Sequence, residues 1–317
     1  MTPPTHIPVL LKETLSVLAP PNHATPPDRV PETSWLDCTF GGGGHSRALL
    51  ERVGDGARLS AVDRDPAALP RAEAFSREFG ARFRFFPLPF SRLDEVDGAP
   101  FDGVLMDLGV SSFQLDDDAR GFSFRKEAHA DMRMDTRSGI DAAAFLETAP
   151  RERLVEAVRD FGEEPRWRRV VEAVINARGN GALSTTTSLA ALIERAVGGR
   201  RPHEKIHPAT RTFQGVRIAV NDELGELRRA LPKAFAALKP RGVLVVITFH
   251  SLEDRIVKRF FNELCGRPVS RSDSRPQDER SRVAELAVRK AVRPSETELA
   301  ANPRSRSAKL RAVRKLP

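Results

Sequence analysis

Short apolar runs alternate with helical patterns over the first hundred residues of the chain. The runs cover 35–40, 58–62, 83–86 and 103–108, and helix-like segments at 45–53 and 66–79 separate them. This alternation predicts a parallel sheet with helices on its faces. A fifth run at 243–249 is almost continuously apolar, which is typical of a strand buried on both faces.

The segment between the fourth and fifth runs is far longer than the roughly 30 residues of a strand–helix–strand unit. It contains three apolar stripes at helical spacing, at 154–161, 170–175 and 189–196. We therefore predict an α/β fold in which an inserted helical domain covers 116–211 and a discontinuous sheet domain covers 1–115 and 212–317. A single helix from about Val216 to Leu238 is expected to return the chain to the sheet.

The N-terminal region and the cysteines exclude several classes of protein. Residues 7–18 have helical periodicity, and the Pro-rich stretch from Pro20 to Pro31 interrupts the chain as a linker. No apolar run approaches the roughly 20 residues of a membrane-spanning helix, and no signal-peptide core is present. Cys38 and Cys265 form no CxxC pair, so neither disulfides nor a metal site is indicated. We expect a cytoplasmic protein with no metal and no membrane partner.

The net charge of +8 lies in one segment. Residues 267–317 contain 14 Lys and Arg against 6 Asp and Glu, whereas residues 1–266 contain 37 of each. The segment is either a solvated, partly disordered tail or an arm that contacts phosphates. The candidate phosphate contacts are Arg304, Arg306, Lys309, Arg311, Arg314 and Lys315.

Four consecutive glycines, Gly41 to Gly44, follow the first predicted strand and precede a helix. Without Cβ atoms, this turn lets the backbone pass close to a ligand. A P-loop would need a Lys after the glycines, and none is present. Asp63 ends the second strand about 20 residues later, the spacing at which an acid accepts hydrogen bonds from a ribose. The two motifs predict an adenosine cofactor and leave NAD and S-adenosylmethionine open.

Asp107 ends the fourth predicted strand, at the edge where open α/β sheets bind ligands. The chain has no tyrosine, so it lacks the Asp-Pro-Pro-Tyr strand end of many amino-group methyltransferases. We hypothesise that Asp107, or a backbone carbonyl of 107–109, accepts a proton in the reaction. Candidate aromatic surfaces for a base are Phe113, Phe122 and Phe124.

A second polar group follows the fifth predicted strand. It consists of His250, Ser251, Glu253 and Asp254. His250 is a candidate for base recognition, whereas Ser251 and Glu253 equally suggest a helix N-cap with an acidic first turn.

Several long motifs together resemble one known family. They are GGGGHS at 41–46, AVDRDP at 61–66, DLGVSSFQLDD at 107–117, HPATRTFQGVRIAVNDEL at 207–224, ITFHSLEDRIVKRFF at 247–261 and NPRSRSAKLR at 302–311. In this order they resemble RsmH, or MraW, the bacterial 16S rRNA (cytosine-N4)-methyltransferases. Two features depart from the family pattern: Phe113 stands where Pro is usual, and the Pro20–Pro31 segment is longer.

The resemblance implies a Rossmann-like S-adenosylmethionine-dependent methyltransferase sheet with an inserted substrate-recognition domain. By the same resemblance, Gly43, Gly44 and His45 cradle the cofactor, Asp63 holds its ribose and Phe90 lies against its adenine. Asp107 and Gln114 complete the pocket. The expected partner is 16S rRNA in the small ribosomal subunit, and a homodimer stays open.

The resemblance also favours the phosphate-contacting interpretation of the basic segment. The inserted domain offers further candidates for phosphate contacts, with Trp167 as a stacking surface: Arg166, Arg168, Arg169, Arg200, Arg201, Lys205 and Arg211.

Three alternative functions remain at this stage. An NAD-dependent oxidoreductase fits the two cofactor motifs but lacks a hydride-transfer constellation. A noncatalytic RNA-binding protein explains the basic segment but not the cofactor loop with its two acids. A methyltransferase acting on another RNA or DNA amine fits the same motifs.

Overall fold

The computed structural model describes residues 8–20, 32–199 and 206–317. The chain divides into two compact units. The sheet unit comprises Met1–Gly109 and Leu224–Pro317, and the helical unit comprises Val110–Glu223. No helix in the described ranges combines the length and apolarity needed to cross a bilayer.

A seven-stranded sheet forms the framework of the sheet unit. Its strands are β1 (Thr33–Asp37), β2 (Ala57–Val62), β3 (Phe83–Phe86), β4 (Phe101–Asp107), β5 (Leu238–Thr248), β6 (Ala284–Leu286) and β7 (Lys309–Lys315). Their order is β3-β2-β1-β4-β5-β7-β6. The first five in this order are parallel, whereas β7 is antiparallel to both neighbours. The predicted α/β class is therefore confirmed.

The α-helices in the described part of the chain surround this sheet or build the helical unit. They are α1 (Leu11–Leu18), α2 (Gly44–Val53), α3 (Leu69–Phe79), α4 (Ser112–Asp116), α5 (Ala142–Thr148), α6 (Arg151–Val155), α7 (Trp167–Asn176), α8 (Thr186–Ala196), α9 (Ala209–Asn221), α10 (Glu223–Ala236), α11 (Ser251–Leu264) and α12 (Glu296–Ala301). A π-helical segment, Glu156–Phe161, directly follows α6.

Each face of the sheet packs against its own apolar layer. Trp35 and Val245 belong to one layer, and their chain neighbours Leu36 and Leu244 belong to the other. This alternation follows from the two-residue period of a strand. Because both faces are covered, the central strands are continuously apolar, as the sequence predicted for 243–249.

The interpretation of residues 267–317 as a partly disordered tail is wrong. The last strand, β7, pairs with β5 along six residues inside the sheet. The preceding loop is held by Asp273, whose carboxylate accepts hydrogen bonds from Arg275 and Arg280 at 2.9–3.1 Å. The basic segment is therefore an integral part of the sheet unit.

The helical unit has a separate apolar core, and its edges differ from the predicted boundaries at 115/116 and 211/212. Phe213 and Val216 of α9 belong to this core, so α9 packs with the helices although most of it lies after residue 211. The predicted single helix from Val216 to Leu238 is also wrong. Asp222 has a left-handed φ of 48°, which separates α9 from α10.

Candidate active site

The glycine turn after β1 is closely packed. Gly43 has a φ of +75°, and a Cβ there would lie 3.0 Å from the Phe40 ring and 3.2 Å from the Phe75 ring. A Cβ on Gly44 would lie 2.4 Å from Pro8 Cγ. A side chain at either position therefore requires its neighbours to move, and at Gly43 it also strains the backbone.

Asp63 follows β2 at the same edge of the sheet, because β1 and β2 are parallel neighbours. Its carboxylate accepts hydrogen bonds from the main-chain N–H groups of Gly41 and Asp65, both at 2.8 Å. Burial nevertheless raises the pKa of Asp63 to about 6. Asp63 thus ties the glycine turn to the end of β2 and retains oxygen lone pairs for a further donor.

Asp107 ends β4, the other neighbour of β1. Its main-chain N–H donates to Thr39 Oγ1 at 2.7 Å. Its Oδ1 atom is buried and has no hydrogen-bond partner among the described residues. Burial, followed by the charges of Asp37 and Glu253, raises the pKa of Asp107 well above its usual value. The site therefore contains an acidic oxygen whose hydrogen-bonding capacity the protein leaves unused.

Asp37, at the end of β1, is a site residue that the sequence reasoning did not single out. Only 2% of it is exposed, and burial raises its pKa. It accepts hydrogen bonds from Ser46 Oγ at 2.7 Å and from the Thr39 N–H at 3.0 Å. Its position before the glycine turn was the available signal, since an acid at a strand end on this edge faces the ligand region.

His45 lies buried between the N-terminal region and Asp107. Its Nε2 is 3.0 Å from the carbonyl oxygen of Val9, and a carbonyl can only accept, so Nε2 carries a proton. Its Nδ1 is 3.5 Å from Asp107 Oδ2. The imidazole therefore lies beside the Asp107 carboxyl group.

The structure brings together most of the predicted site residues. Five of them lie at the carboxyl ends of β1, β2 and β4 or in the turn and helix that follow β1: Gly43, Gly44, His45, Asp63 and Asp107. Phe90 begins a 3₁₀ helix after β3 and packs half-buried against one apolar layer.

Gln114 belongs to the helical unit, where it is buried. Its Oε1 accepts from the Ser111 N–H at 2.9 Å, and its own N–H donates to Ser111 Oγ at 3.2 Å. This capping box is the local role that the structure assigns to Gln114. Contacts of Phe90 and Gln114 with a cofactor stay predictions.

The residues after β5 form a helix cap, but its members differ from the sequence expectation. His250, not Ser251, occupies the N-cap position of α11. Glu253 accepts from the main-chain N–H of Phe249 at 2.8 Å and of His250 at 3.3 Å. Glu253 therefore caps the helix while adding negative charge near Asp107.

Most of the terminal basic residues predicted to contact phosphates have partners in the protein. Lys309 and Arg311 both pair with Asp254, at 2.9 and 2.7 Å. Lys315 Nζ donates to the carbonyl of Leu238 at 2.7 Å, and Arg314 lies 4.0 Å from Glu285. These four side chains hold β7 in place.

The aromatic and basic residues of the helical unit that were predicted to contact RNA have different surroundings. Phe124 packs on Phe213, with ring centroids 4.9 Å apart, and Phe122 packs against the same core. Phe113 is 40% exposed. Arg168 lies over the Trp167 ring at 4.4 Å. Further predicted residues lie outside the described ranges: Arg200, Arg201 and Lys205, with His6, Ile7 and most of the Pro20–Pro31 segment.

Comparisons with known proteins agree on one family. The sequence model described as "MraW methylase family" matches residues 4–316. The protein named "Ribosomal RNA small subunit methyltransferase H" of Azoarcus sp. (strain BH72) is 47% identical over 314 residues, covering 97% of this chain and 96% of that one. Its namesake from Cereibacter sphaeroides (strain KD131 / KCTC 12085) is 45% identical over 307 residues, covering 96% and 88%.

A third relative of the same name, from Thermomicrobium roseum (strain ATCC 27502 / DSM 5159 / P-2), is 44% identical over 327 residues, covering 98% and 94%. Among solved structures, the N-methyltransferase NodS of Bradyrhizobium japonicum WM9 is a distant match. It is 9% identical, with a TM-score of 0.38 over 90% of this chain and 86% of that one.

Proposed function

The chain belongs to the MraW methylase family, and on that premise we propose that it methylates the exocyclic N4 amine of a cytosine in small-subunit rRNA. The methyl donor is S-adenosylmethionine. The rRNA substrate follows the names of the relatives at 44–47% identity. The choice of cytosine N4 follows the motif resemblance.

The observation that carries this proposal is the acidic strand edge. Asp37 and Glu253 are buried. Desolvation and the charges of these two acids raise the pKa of Asp107, and its Oδ1 has no hydrogen-bond partner among the described residues. Buried acids of like charge are costly unless a cation joins them. The methionine end of S-adenosylmethionine carries a sulfonium and an ammonium group, so its charge fits this edge.

The neighbouring residues fit the rest of the cofactor. The glycine turn exposes main-chain atoms without a Cβ to cover them, which suits a ligand lying against the backbone. Asp63 offers a carboxylate to ribose hydroxyls, and Phe90 offers an apolar ring to the adenine. When bound, S-adenosylmethionine supplies an electrophilic methyl group on a positively charged sulfur.

We assign Asp107 as the acceptor of the proton that cytosine N4 loses. The cytosine N4 lone pair is delocalised into the ring, so the amine reacts well only if an acceptor takes one of its protons. A cation beside Asp107 favours its ionised form, in which Oδ1 can accept the N4–H hydrogen bond. Bound S-adenosylmethionine would supply the methyl group for N4, and Asp107 Oδ1 would take the proton that N4 loses.

Nucleoside mass spectrometry of small-subunit rRNA tests the reaction and its target. Cells with and without the gene are compared, and the purified protein is then added to the unmodified subunits with labelled S-adenosylmethionine. We expect N4-methylated cytidine to be lost without the gene and restored by the protein. A methylated nucleoside other than N4-methylcytidine would identify another RNA amine, and no change in rRNA would contradict the proposal.

A further inference from the structure

A groove of about 330 Å³ opens on the sheet unit, and none of its lining residues belongs to the glycine turn at 41–44. It is lined by the C-terminal half of α11, the turn that follows it, and the region of β6 and β7. Leu286 and Val288 contribute apolar surface, and four basic side chains lie around them: Lys258, Arg267, Arg289 and Arg311. We call this cavity the basic groove.

The basic groove contains unneutralised positive charge. None of its lining residues is acidic. Arg311 pairs with Asp254, but Asp254 is shared with Lys309. Lys258, Arg267 and Arg289 are exposed, and within the described ranges their side chains form no ion pair or hydrogen bond. Unlike the paired residues of β7, these three cations are available to an anion.

The walls of the groove are fixed by internal contacts. Asp254 of α11 binds Arg311 of β7 at 2.7 Å, which joins the two elements. Asn262 Nδ2 donates to the Pro268 carbonyl at 3.0 Å, and the Arg267 N–H donates to the Asn262 carbonyl at 2.8 Å. The turn that carries Arg267 is therefore held in place before any ligand binds, which reduces the ordering cost of binding.

The strand register relates the groove to the candidate active site. Asp107 pairs with Ile247, and Ile247 pairs with Leu310, the residue before Arg311. Two strand spacings of about 4.8 Å place the backbones of Asp107 and Leu310 roughly 10 Å apart. The strand that carries Arg311 of the groove is therefore two strands away from the strand that ends at Asp107.

We propose that the basic groove binds the phosphodiester backbone of the single-stranded rRNA segment that carries the target base. This inference rests on the proposed rRNA substrate and adds the surface that holds it. Two arginines offer planar donor sets to phosphate oxygens, and Lys258 adds a mobile point charge. The apolar floor suits the ribose between two phosphates. The single sign of the charges around the groove favours a polyanion over a protein surface of mixed charge.

The test compares two triple variants of the full chain. The groove variant is Lys258→Gln/Arg267→Gln/Arg289→Gln. The control variant, Lys12→Gln/Arg77→Gln/Arg228→Gln, removes the same charge from exposed positions of the same unit outside the groove. Binding to a single-stranded oligoribonucleotide and to unmodified small ribosomal subunits is measured across a range of salt concentrations. Thermal unfolding midpoints verify that both variants fold.

We expect the groove variant to bind both RNAs at least about tenfold more weakly than the control variant at moderate salt. Its plot of log affinity against log salt should be shallower by about 2, since each lost single-strand phosphate contact removes about 0.7. Its KM for subunits should rise, while kcat and the affinity for S-adenosylhomocysteine stay unchanged.

Equal RNA binding by the two variants would overturn the inference. So would displacement of the oligoribonucleotide by about equimolar inorganic phosphate or AMP, because the groove would then be a site for a small phosphate ligand. Methyl transfer to rRNA by the wild-type protein is measured in a separate experiment. If rRNA is not methylated, the proposed function fails, whereas the binding comparison still decides the role of the groove.

Discussion

The two units of this protein differ in net charge. The helical unit contains 18 basic and 18 acidic residues, whereas the sheet unit contains 33 basic and 25 acidic residues. The sheet unit therefore carries the whole net charge of +8. The sequence offered both the basic segment 267–317 and the inserted helices as surfaces for RNA, and the excess of positive charge lies on the sheet unit, which contains that segment.

A second contrast separates ion-paired carboxyl groups from those at the sheet edge. In the helical unit, a hydrogen bond from Arg151 lowers the pKa of Glu172. At the sheet edge, burial raises the pKa of Asp37, Asp63 and Asp107. An acid paired within the protein serves the fold, whereas a buried acid left without a cation indicates a ligand. Substitutions in both units test this contrast.

Replacing Asp107 by Asn should lower the methyl-transfer rate roughly a thousandfold, because the amide cannot take a proton. Asp102→Asn is the matched control at the other end of the same strand, where Asp102 accepts from the Ser34 N–H and Lys239 at 2.7 Å. The control should retain activity. Single-turnover rates at saturating cofactor provide the measurement. A near-normal rate in the Asp107 variant would remove Asp107 from the chemistry.

Gly43→Ala and Gly139→Ala compare the turn of the sheet unit with an open loop of the helical unit. Both glycines have left-handed backbones, with φ of +75° and +73°, but no atom lies within 4 Å of a Cβ at Gly139. Gly139→Ala should cost about 1–2 kcal/mol in stability. Gly43→Ala should cost about 1–3 kcal/mol more, because Phe40 and Phe75 must move. Denaturant unfolding measures both, and equal losses would show that the turn is not crowded.

The affinity for S-adenosylhomocysteine should rise about tenfold between pH 5 and pH 7. Asp63 has a pKa of about 6 in the free protein, and its ionised form is the better acceptor for ribose hydroxyls. Raising the pH through 6 therefore increases the binding-competent fraction. Calorimetric titration measures this dependence, and Asp63→Asn should bind more weakly with a flatter pH profile. An unchanged profile in that variant would assign the pH dependence to another group.

Arg168→Gln/Arg169→Gln in the helical unit should weaken RNA binding by less than about threefold. Arg168 already lies over Trp167 at 4.4 Å, and the unit as a whole has no excess positive charge. Filter binding to small ribosomal subunits, beside the groove variant, gives the comparison. A larger loss than in the groove variant would reverse the assignment of RNA contacts between the two units.

The sequence predicted the elements whose residue composition directly reflects their burial. The five parallel strands were apparent because central strands buried on both faces become continuous apolar runs. The strand β7 was missed because four of its seven residues are basic. Its alternation of basic and apolar positions was a strand signal, but its pairing with Asp254 connects residues more than fifty positions apart.

The candidate site was also predictable only in part. Asp63 and Asp107 stand out because each ends an apolar strand. The influence of Asp37 and Glu253 on Asp107 was not predictable, because two strand ends and the first turn of α11 must first be placed side by side. Chain spacing also could not reveal the αL residue Asp222, which divides the expected helix and moves α9 into the helical unit.

The pairing of β4 with β5 has a consequence for the order of folding. These adjacent strands are separated in the chain by the whole helical unit. Closing so long a flexible loop carries an entropic cost that the strands must overcome. The helical unit is continuous and can collapse first, which shortens the effective loop. We therefore expect pulse-labelled hydrogen exchange to protect α7 and α8 before β4 and β5, so the insertion acts as a folding aid for the sheet that contains the chemistry.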